Sequence, residues 1–415
     1  MRARRLGLSA LALALAALAL AGCGGVSGAS DATGSELTIY TSLPLHGEWA
    51  EASAQIVNGE KLALSQAGGR AGRFRVAFSM LDDSNPSTGM WEPGLAAGNA
   101  KTAAQDPSTI AYIGELDSGA TAISLPIMNA AGILQVSPSS PYQGLTSSFD
   151  AGQFEPERFY PTAKVTFGRL QPGDPVEAAA QVRLMQILGV QSVYVLDDGR
   201  PFHEPLAAIV ATDAARAGIA VAGHDSISTE AGSVFTGEIE KIVSSGVQAV
   251  FLAGEAGPGA AQLWQQLHTA DPRLKLLGSS AMAVEAFTSK LGLAAAQTYL
   301  TTPLLATGLY PPSAQRVLAQ YRRAFAEGAG AWALYGYESM SVVLDTIKSL
   351  GGRGNSRPDV VARFLATRRR DSVIGRYSMQ ANGETTLSTY GVDRVSAGLP
   401  VFYRAVYTPA APAEA

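Results

Sequence analysis

The stretch that decides the fold is Thr109–Thr146, TIAYIGELDSGATAISLPIMNAAGILQVSPSSPYQGLT. Two short apolar runs, Thr109 to Ile113 and Ile133 to Val136, each stop at a turn of small polar residues. A continuous apolar run of this length is the pattern of a strand covered on both faces in a parallel sheet. Between the runs Ile123 and Ile127 recur at helical spacing, Ala130 and Ala131 extend that face, and Gly132 supplies the left-handed residue that ends a helix. Pro126 predicts that this helix starts late or bends. The turns are Asp117-Ser118-Gly119 after the first strand and Ser137-Pro138-Ser139-Ser140 after the second. In open α/β sheets ligands bind at such carboxyl ends. Short side chains let a ligand reach backbone N–H groups, a helix N-terminus favours an anionic group, and serine hydroxyls donate to a carboxylate. The same residue types also build ordinary βα loops.

The chain opens differently. Arg2, Arg4 and Arg5 precede an Ala/Leu run from Leu6 to Ala21, which closes on Leu20-Ala21-Gly22-Cys23. This reads as a lipoprotein signal over residues 1–22, because the run falls short of the roughly 20 residues that a spanning helix needs. Cys23 is the only cysteine, so a disulfide within the chain is impossible, and a thiol at this place is expected to carry lipid. The mature protein is then extracytoplasmic and anchored to the cell membrane by Cys23. Residues 23–35, rich in Gly, Ser and Ala, are expected to form a flexible tether, and 410–415 a short tail. Losing the three signal arginines takes the formal charge from −4 to −7 and leaves no basic cluster, which argues against nucleic acid. The remaining residues, about 390, exceed what one core organises, so two domains are expected.

Strands and helices alternate through those domains. Glu36 to Tyr40 reads as a strand, Ala50 to Ala67 as a helix ended by Gly68-Gly69, and Phe74 to Met80 as a half-exposed strand. Asp82-Asp83 follows it, a carboxylate pair suited to a metal, to acid–base work or to ordering a loop. Farther on, helices are expected over 175–188, 204–217, 233–245, 257–269, 312–327 and 332–350, with strands over 192–196, 219–222, 249–253, 274–277, 299–302 and 401–407. Arg368-Arg369-Arg370 reads as a solvated helix end.

The opening stretch resembles the solute-binding proteins of branched-chain amino-acid-type ABC transporters, which carry an IG-x-x-x-S turn and then an SP-x-x turn. Here these are Ile113-Gly114-Glu115-Leu116-Asp117-Ser118 and Ser137-Pro138-Ser139-Ser140. The similarity continues at Tyr40 to Gly47, Asn58 to Ala63 and Leu81 to Ser84, and more weakly to about residue 407. It implies a type I periplasmic-binding-protein fold, two Rossmann-like lobes joined by a three-strand hinge. Lobe 1 would comprise 36–168 plus 282–375, and lobe 2 169–281 plus 376–409, with crossings at Val165–Arg169, Gly278–Ala281 and Ser372–Met379. The resemblance also implies the site. Ser118 matches the serine that bonds a ligand carboxylate, Ser139 a position that contributes backbone, and Gly47 and Trp49 further first-lobe contacts. Pro141 replaces a threonine, so an anchor is missing unless Ser140 supplies it. The glutamate that holds a ligand ammonium becomes Ser280, leaving Asp117 and Glu255 as carboxylates able to replace it. Phe202 stands at an aromatic lid position. Either Glu255 takes the ammonium, the reading preferred here, or the ligand is an amide, a urea-like compound or an organic acid.

An enzyme would need a nucleophile, an acid–base pair or a metal cluster. His46, His203, His224 and His268 are scattered, and HExxH, G-x-S-x-G and G-x-x-x-x-G-K-S/T spacings are absent. His46 and His203 fall in loops of the expected site, as possible ligand contacts or as surface hydrogen-bonding histidines. The expectation is therefore a binding protein without cofactor or metal, which passes a small polar solute, an amino acid or similar, to an ABC permease and its ATPase. An extracellular sensory receptor of the same fold is the rival from another class, and a hydrolase a distant third.

Overall fold

The computed structural model describes residues 31–34, 36–148, 151–325 and 328–408. The signal, Cys23 and the tail lie outside the described residues. Six strands form the first sheet: β1 (Glu36–Leu43), β2 (Arg70–Ala71), β3 (Phe74–Asp82), β4 (Thr109–Ile113), β5 (Leu134–Ser137) and β6 (Phe167–Arg169), ordered β2-β3-β1-β4-β5-β6. Apart from the β2–β3 hairpin the pairs are parallel, with α1 (Ala50–Gln66), α2 (Pro93–Gln105) and α3 (Ser118–Ala130) as connections. Every residue of β4 and β5 is buried, as their mostly apolar composition suggests, and Gln135 within β5 is buried with partners, donating to the Gly114 carbonyl at 3.0 Å.

The second lobe repeats the rhythm with α4 (Asp174–Ile187), β7 (Ser192–Asp197), α5 (Glu204–Arg216), β8 (Ala220–Ser226), α6 (Thr236–Ser244), β9 (Ala249–Ala253), α7 (Pro258–Ala270), β10 (Lys275–Gly278), the one-turn α8 (Glu285–Thr288) and β11 (Thr298–Thr302). The chain then returns to the first lobe as α9 (Pro312–Ala324), α10 (Ala331–Ser349), α11 (Arg357–Leu365) and the ribbon β12 (Arg370–Ser372)–β13 (Gly375–Tyr377). A hairpin, β14 (Thr389–Ser396) and β15 (Leu399–Tyr407), completes a second sheet ordered β15-β14-β11-β10-β9-β7-β8. Helices α1 and α10 cross without side chains between them: a Cβ on Gly59 would lie 2.2 Å from the Ala333 carbonyl oxygen, and one on Gly336 2.0 Å from that of Ile56.

The two-lobed α/β architecture agrees with the sequence reading, while several details differ. Strand β11, expected to resume lobe 1, pairs with β10 and β14 and belongs to the second sheet. The second crossing therefore follows Thr302 rather than Gly278–Ala281. Val373, Ile374, Tyr377 and Met379 pack into the first lobe's core, so the third crossing comes after Met379 and not at 372–379. The last tether residues are docked, since Ala32 is buried, donates its N–H to the Asn355 carbonyl and accepts from the Asn355 side chain. Helix α3 starts at Ser118, well before Pro126, which it carries internally. Its buried face is Ser124, Leu125, Met128 and Asn129, whereas Ile123 and Ile127 are only half-buried. Those polar side chains tolerate burial because they are paired: Gln135 donates to Ser124 at 2.8 Å, and Asn129 donates to the Lys164 carbonyl at 2.7 Å. Arg370 is not a solvated end; it bonds the buried Glu338 at 2.5 Å and Asp345 at 2.9 Å.

One buried cation ties the crossings together. Arg169, fully buried at the end of β6, donates to the Ser140 carbonyl at 2.6 Å, to that of Tyr142 at 2.7 Å and to Glu384 at 3.0 Å. Glu384 lies on the third crossing.

Candidate functional site

The carboxyl ends of the central strands of the two sheets face one another and enclose a cavity of about 120 Å³. On the first-lobe wall, Asp117 is the N-cap of α3 and accepts the Gly119 N–H at 2.6 Å. Ser118 lines the cavity from the first turn, and its oxygen accepts the Tyr142 N–H at 3.1 Å, which leaves its own proton free to point at a ligand. From the β5 turn, Ser139 donates to Gln171 at 2.9 Å, and Gln171 donates in turn to Tyr390 of the second lobe at 3.2 Å. Trp49, Trp91 and Trp332 supply the apolar part of this wall.

The second-lobe wall is acidic. Asp174 and Glu177, both buried, come from the first turn of α4. Glu177 accepts the Ser280 N–H at 2.6 Å, the Ser280 hydroxyl at 2.8 Å and the Thr301 hydroxyl at 2.6 Å, while Asp174 accepts the Gln143 N–H at 3.1 Å. Burial, and then the neighbouring Glu177 charge, pushes Asp174 up to about 8. Asp117 is likewise pushed up to about 6, by burial and then by the charge of Glu255 across the cleft. Burial raises Glu177 too. Arg200 is paired with Glu255 and, at 3.3 Å, with Glu230, and His203 lies 2.9 Å from Asp198. Phe202 reaches over to Tyr142 of the first lobe, ring centroids 5.1 Å apart and planes at 83°.

Two α/β lobes with polar groups converging on the gap between them form a solute-binding cleft, and the whole architecture matches a known family model, described as periplasmic binding protein, over residues 37–398. This chain belongs to the periplasmic binding protein family. A curated relative, an amino acid binding protein of Pseudomonas aeruginosa, is 23% identical over 342 residues, 81% of this chain and 79% of its own. Among solved structures, the leucine binding protein LivK of Thermotoga maritima superposes with a TM-score of 0.73 at 20% identity, covering 89% of this chain and 99% of its own. A solute binding protein of R. palustris in complex with benzoate gives 0.68 at 18% identity, covering 90% and 98%. LivJ of Streptococcus pneumoniae, in complex with isoleucine, gives 0.69 at 18% identity, covering 90% and 99%.

In this periplasmic binding protein Asp117, Ser118, Ser139, Trp49, Phe202, Glu255 and Ser280 all line the cleft. Gly47 and Ser140 do not. Gly47, at φ +77°, lets its loop touch Gly89, whose carbonyl oxygen would lie 2.4 Å from an added Cβ. Ser140 is fully buried, 2.7 Å from the Thr121 hydroxyl and directed at the Glu115 carbonyl, so it cannot stand in for the hydroxyl that Pro141 lacks. Glu255 already has Arg200 as its counter-ion, which removes the reason for assigning it a ligand ammonium. Asp82 orders its loop, accepting from the Ser84 hydroxyl at 2.5 Å, Ser84 N–H at 2.9 Å and Leu45 N–H at 3.1 Å; against the upward pull of burial, these bonds hold it below the usual carboxylate range. His46 lies 2.8 Å from Asp82, outside the cavity lining. The sequence reading missed Asp174, Glu177, Arg200 and Tyr142. The signal for the first two was their place in the first helical turn after the crossing, where acids read equally well as partners of the helix dipole.

Proposed function

We propose that this protein is a solute receptor anchored through a lipidated Cys23, which captures a small polar solute of amino-acid or amino-acid-like size between its lobes and delivers it to an ABC permease. The observation that carries this reading is the convergence of the Ser118 hydroxyl, the Asp174–Glu177 carboxyls and the Tyr142–Phe202 pair on one small cavity between the lobes. Solutes bound there are contacted by both lobes, so binding favours the closed arrangement. Among the solved relatives, the R. palustris protein is itself described as an ABC transporter solute binding protein, which supports the delivery role.

Thermal shift against amino acids, amines, amides, ureas and small carboxylates tests it. A ligand at 100 times its dissociation constant stabilises the native state by ~2.7 kcal/mol, a rise of several degrees in the midpoint. A panel that leaves the midpoint unmoved removes the small-solute reading. The anchor is checked by the intact mass of protein extracted from host membranes, which should show a diacylated Cys23 as the first residue.

A further inference from the structure

We infer that the cleft is built for an organic cation that carries no carboxylate, a substrate class that rests on the solute-binding reading above.

The donors of the first-lobe wall are spent inside the protein. The Ser139 N–H goes to the Ser137 hydroxyl at 3.1 Å, the Ser140 N–H to the Leu116 carbonyl at 3.2 Å, and the Tyr142 N–H to Ser118. The Gly119 N–H at the head of α3 is taken by Asp117, and Pro141 has no N–H to give. The place where a helix N-terminus would hold an anion is therefore occupied by the chain's own carboxylate. An incoming ligand carboxylate would find no cation on this wall among the described residues, only neutral donors such as the Ser118 hydroxyl and the Trp91 and Trp332 indoles, and would meet Asp117 beside it. On the opposite wall the Ser280 N–H and hydroxyl are both given to Glu177, and the Ser279 hydroxyl to the Gly254 carbonyl at 2.8 Å.

The cations are spent as well. Arg169 is held by Glu384 and two carbonyls, Arg200 by Glu255 and Glu230, and His203 by Asp198 through Nδ1, with the charges of Glu255 and Asp117 also acting on the ring. Lys290 acts on Glu48 at the rim. Asp117, Asp174 and Glu177 line the cavity with hydroxyl and N–H partners but no ion pair of their own among the described residues. Arg169 and His203 moderate Asp174 without pairing with it, and burial followed by the Glu177 charge still pushes it up to about 8; His203 moderates Asp117 in the same way. Three tryptophans with Tyr142 and Phe202 complete the lining, and aromatic faces favour a cation over an anion. Carboxyls without counter-ions, donors already used and aromatic walls all select the same ligand, an amine or an alkylated ammonium.

Calorimetry at about pH 8, where Asp117 is ionised and Asp174 about half ionised, with a series built on one side chain tests the inference. The probes are leucine, leucinamide, 3-methylbutylamine, 4-methylpentanamide and 4-methyl-2-oxopentanoate. The amine and leucinamide should bind at least ~10-fold tighter than leucine, and the keto acid should not bind. Preference for leucine, the neutral amide or the keto acid overturns the cation assignment while leaving the solute-binding reading in place. Silence across this series and the broader panel removes both. Asp117→Asn keeps an oxygen to cap α3 but removes the charge; it should weaken the amine by ~10-fold and strengthen leucine. Glu177→Gln, monitored for an unchanged thermal midpoint, should weaken the amine without favouring leucine, and equal affinities in wild type and both variants would overturn the assignment.

Discussion

The two walls of the cleft use polar groups in opposite ways. On the first-lobe wall, backbone and hydroxyl donors are turned inward and fix the turns after β4 and β5, with Asp117 capping α3 and Ser118 accepting from Tyr142. On the second-lobe wall, acidic side chains from α4 accept from hydroxyls and N–H groups and present to the cavity carboxyls without an ion pair among the described residues. The first wall supplies shape, and the second supplies charge. A site divided in this way can change its ligand by altering a few side chains on one wall while the rigid turns of the other stay as they are.

The largest expected effect falls on the contact that keeps the rigid wall in place. Arg169 holds the Ser140 and Tyr142 carbonyls and is paired with Glu384, all without solvent exposure of its own. Arg169→Met leaves Glu384 and the two carbonyls without their donor, and should cost about 3–5 kcal/mol of stability in urea unfolding. A loss below about 1 kcal/mol would mean that the first wall holds its shape without the hinge, and the contrast between the walls would fail.

The middle effect concerns the hydroxyl that the first wall still offers to the cavity. Ser118→Ala removes the hydroxyl that accepts from Tyr142 and offers its proton to the cavity. Binding of whichever solute the panel identifies should weaken by about 1–3 kcal/mol, with a smaller change in the unliganded midpoint. Unchanged affinity would place Ser118 among the shape-giving residues alone.

This division also explains what the sequence disclosed. Strands β4 and β5 were legible because a parallel strand covered on both faces is mostly apolar, and composition carries that signal even with Gln135 inside β5. Asp117 and Ser118 were legible because small polar residues at the end of such a strand mark the ligand side of a sheet. The charged wall was not. Asp174 and Glu177 look like ordinary first-turn acids until the fold brings Ser280 and Thr301 to them from distant strands. Glu255 looked available because nothing in a linear sequence shows that Arg200 reaches it. Strand β11 was found but given to the wrong lobe, since a strand's residues specify that it will pair and not with which neighbour. The buried face of α3 was misread because apolar spacing cannot foresee that Ser124 and Asn129 find partners inside.

The smallest expected effect tests the place where the walls touch. Phe202, from the second lobe, sets its ring edge-on to Tyr142 and packs against the first-lobe cluster of Leu125, Leu145, Phe159 and Tyr160. Phe202→Leu keeps most of the apolar area but loses the oriented aromatic pair, a contribution of about 0.5–1.5 kcal/mol. Because the contact lies between lobes and not inside either core, the loss should appear in ligand affinity, through an easier opening of the cleft, and not in the urea midpoint of the unliganded protein. Titration calorimetry and urea unfolding on the same variant separate the two. A midpoint that falls as much as the affinity does would make Phe202 a core residue of a single fused body. The two walls would then be one surface, with no lid between them.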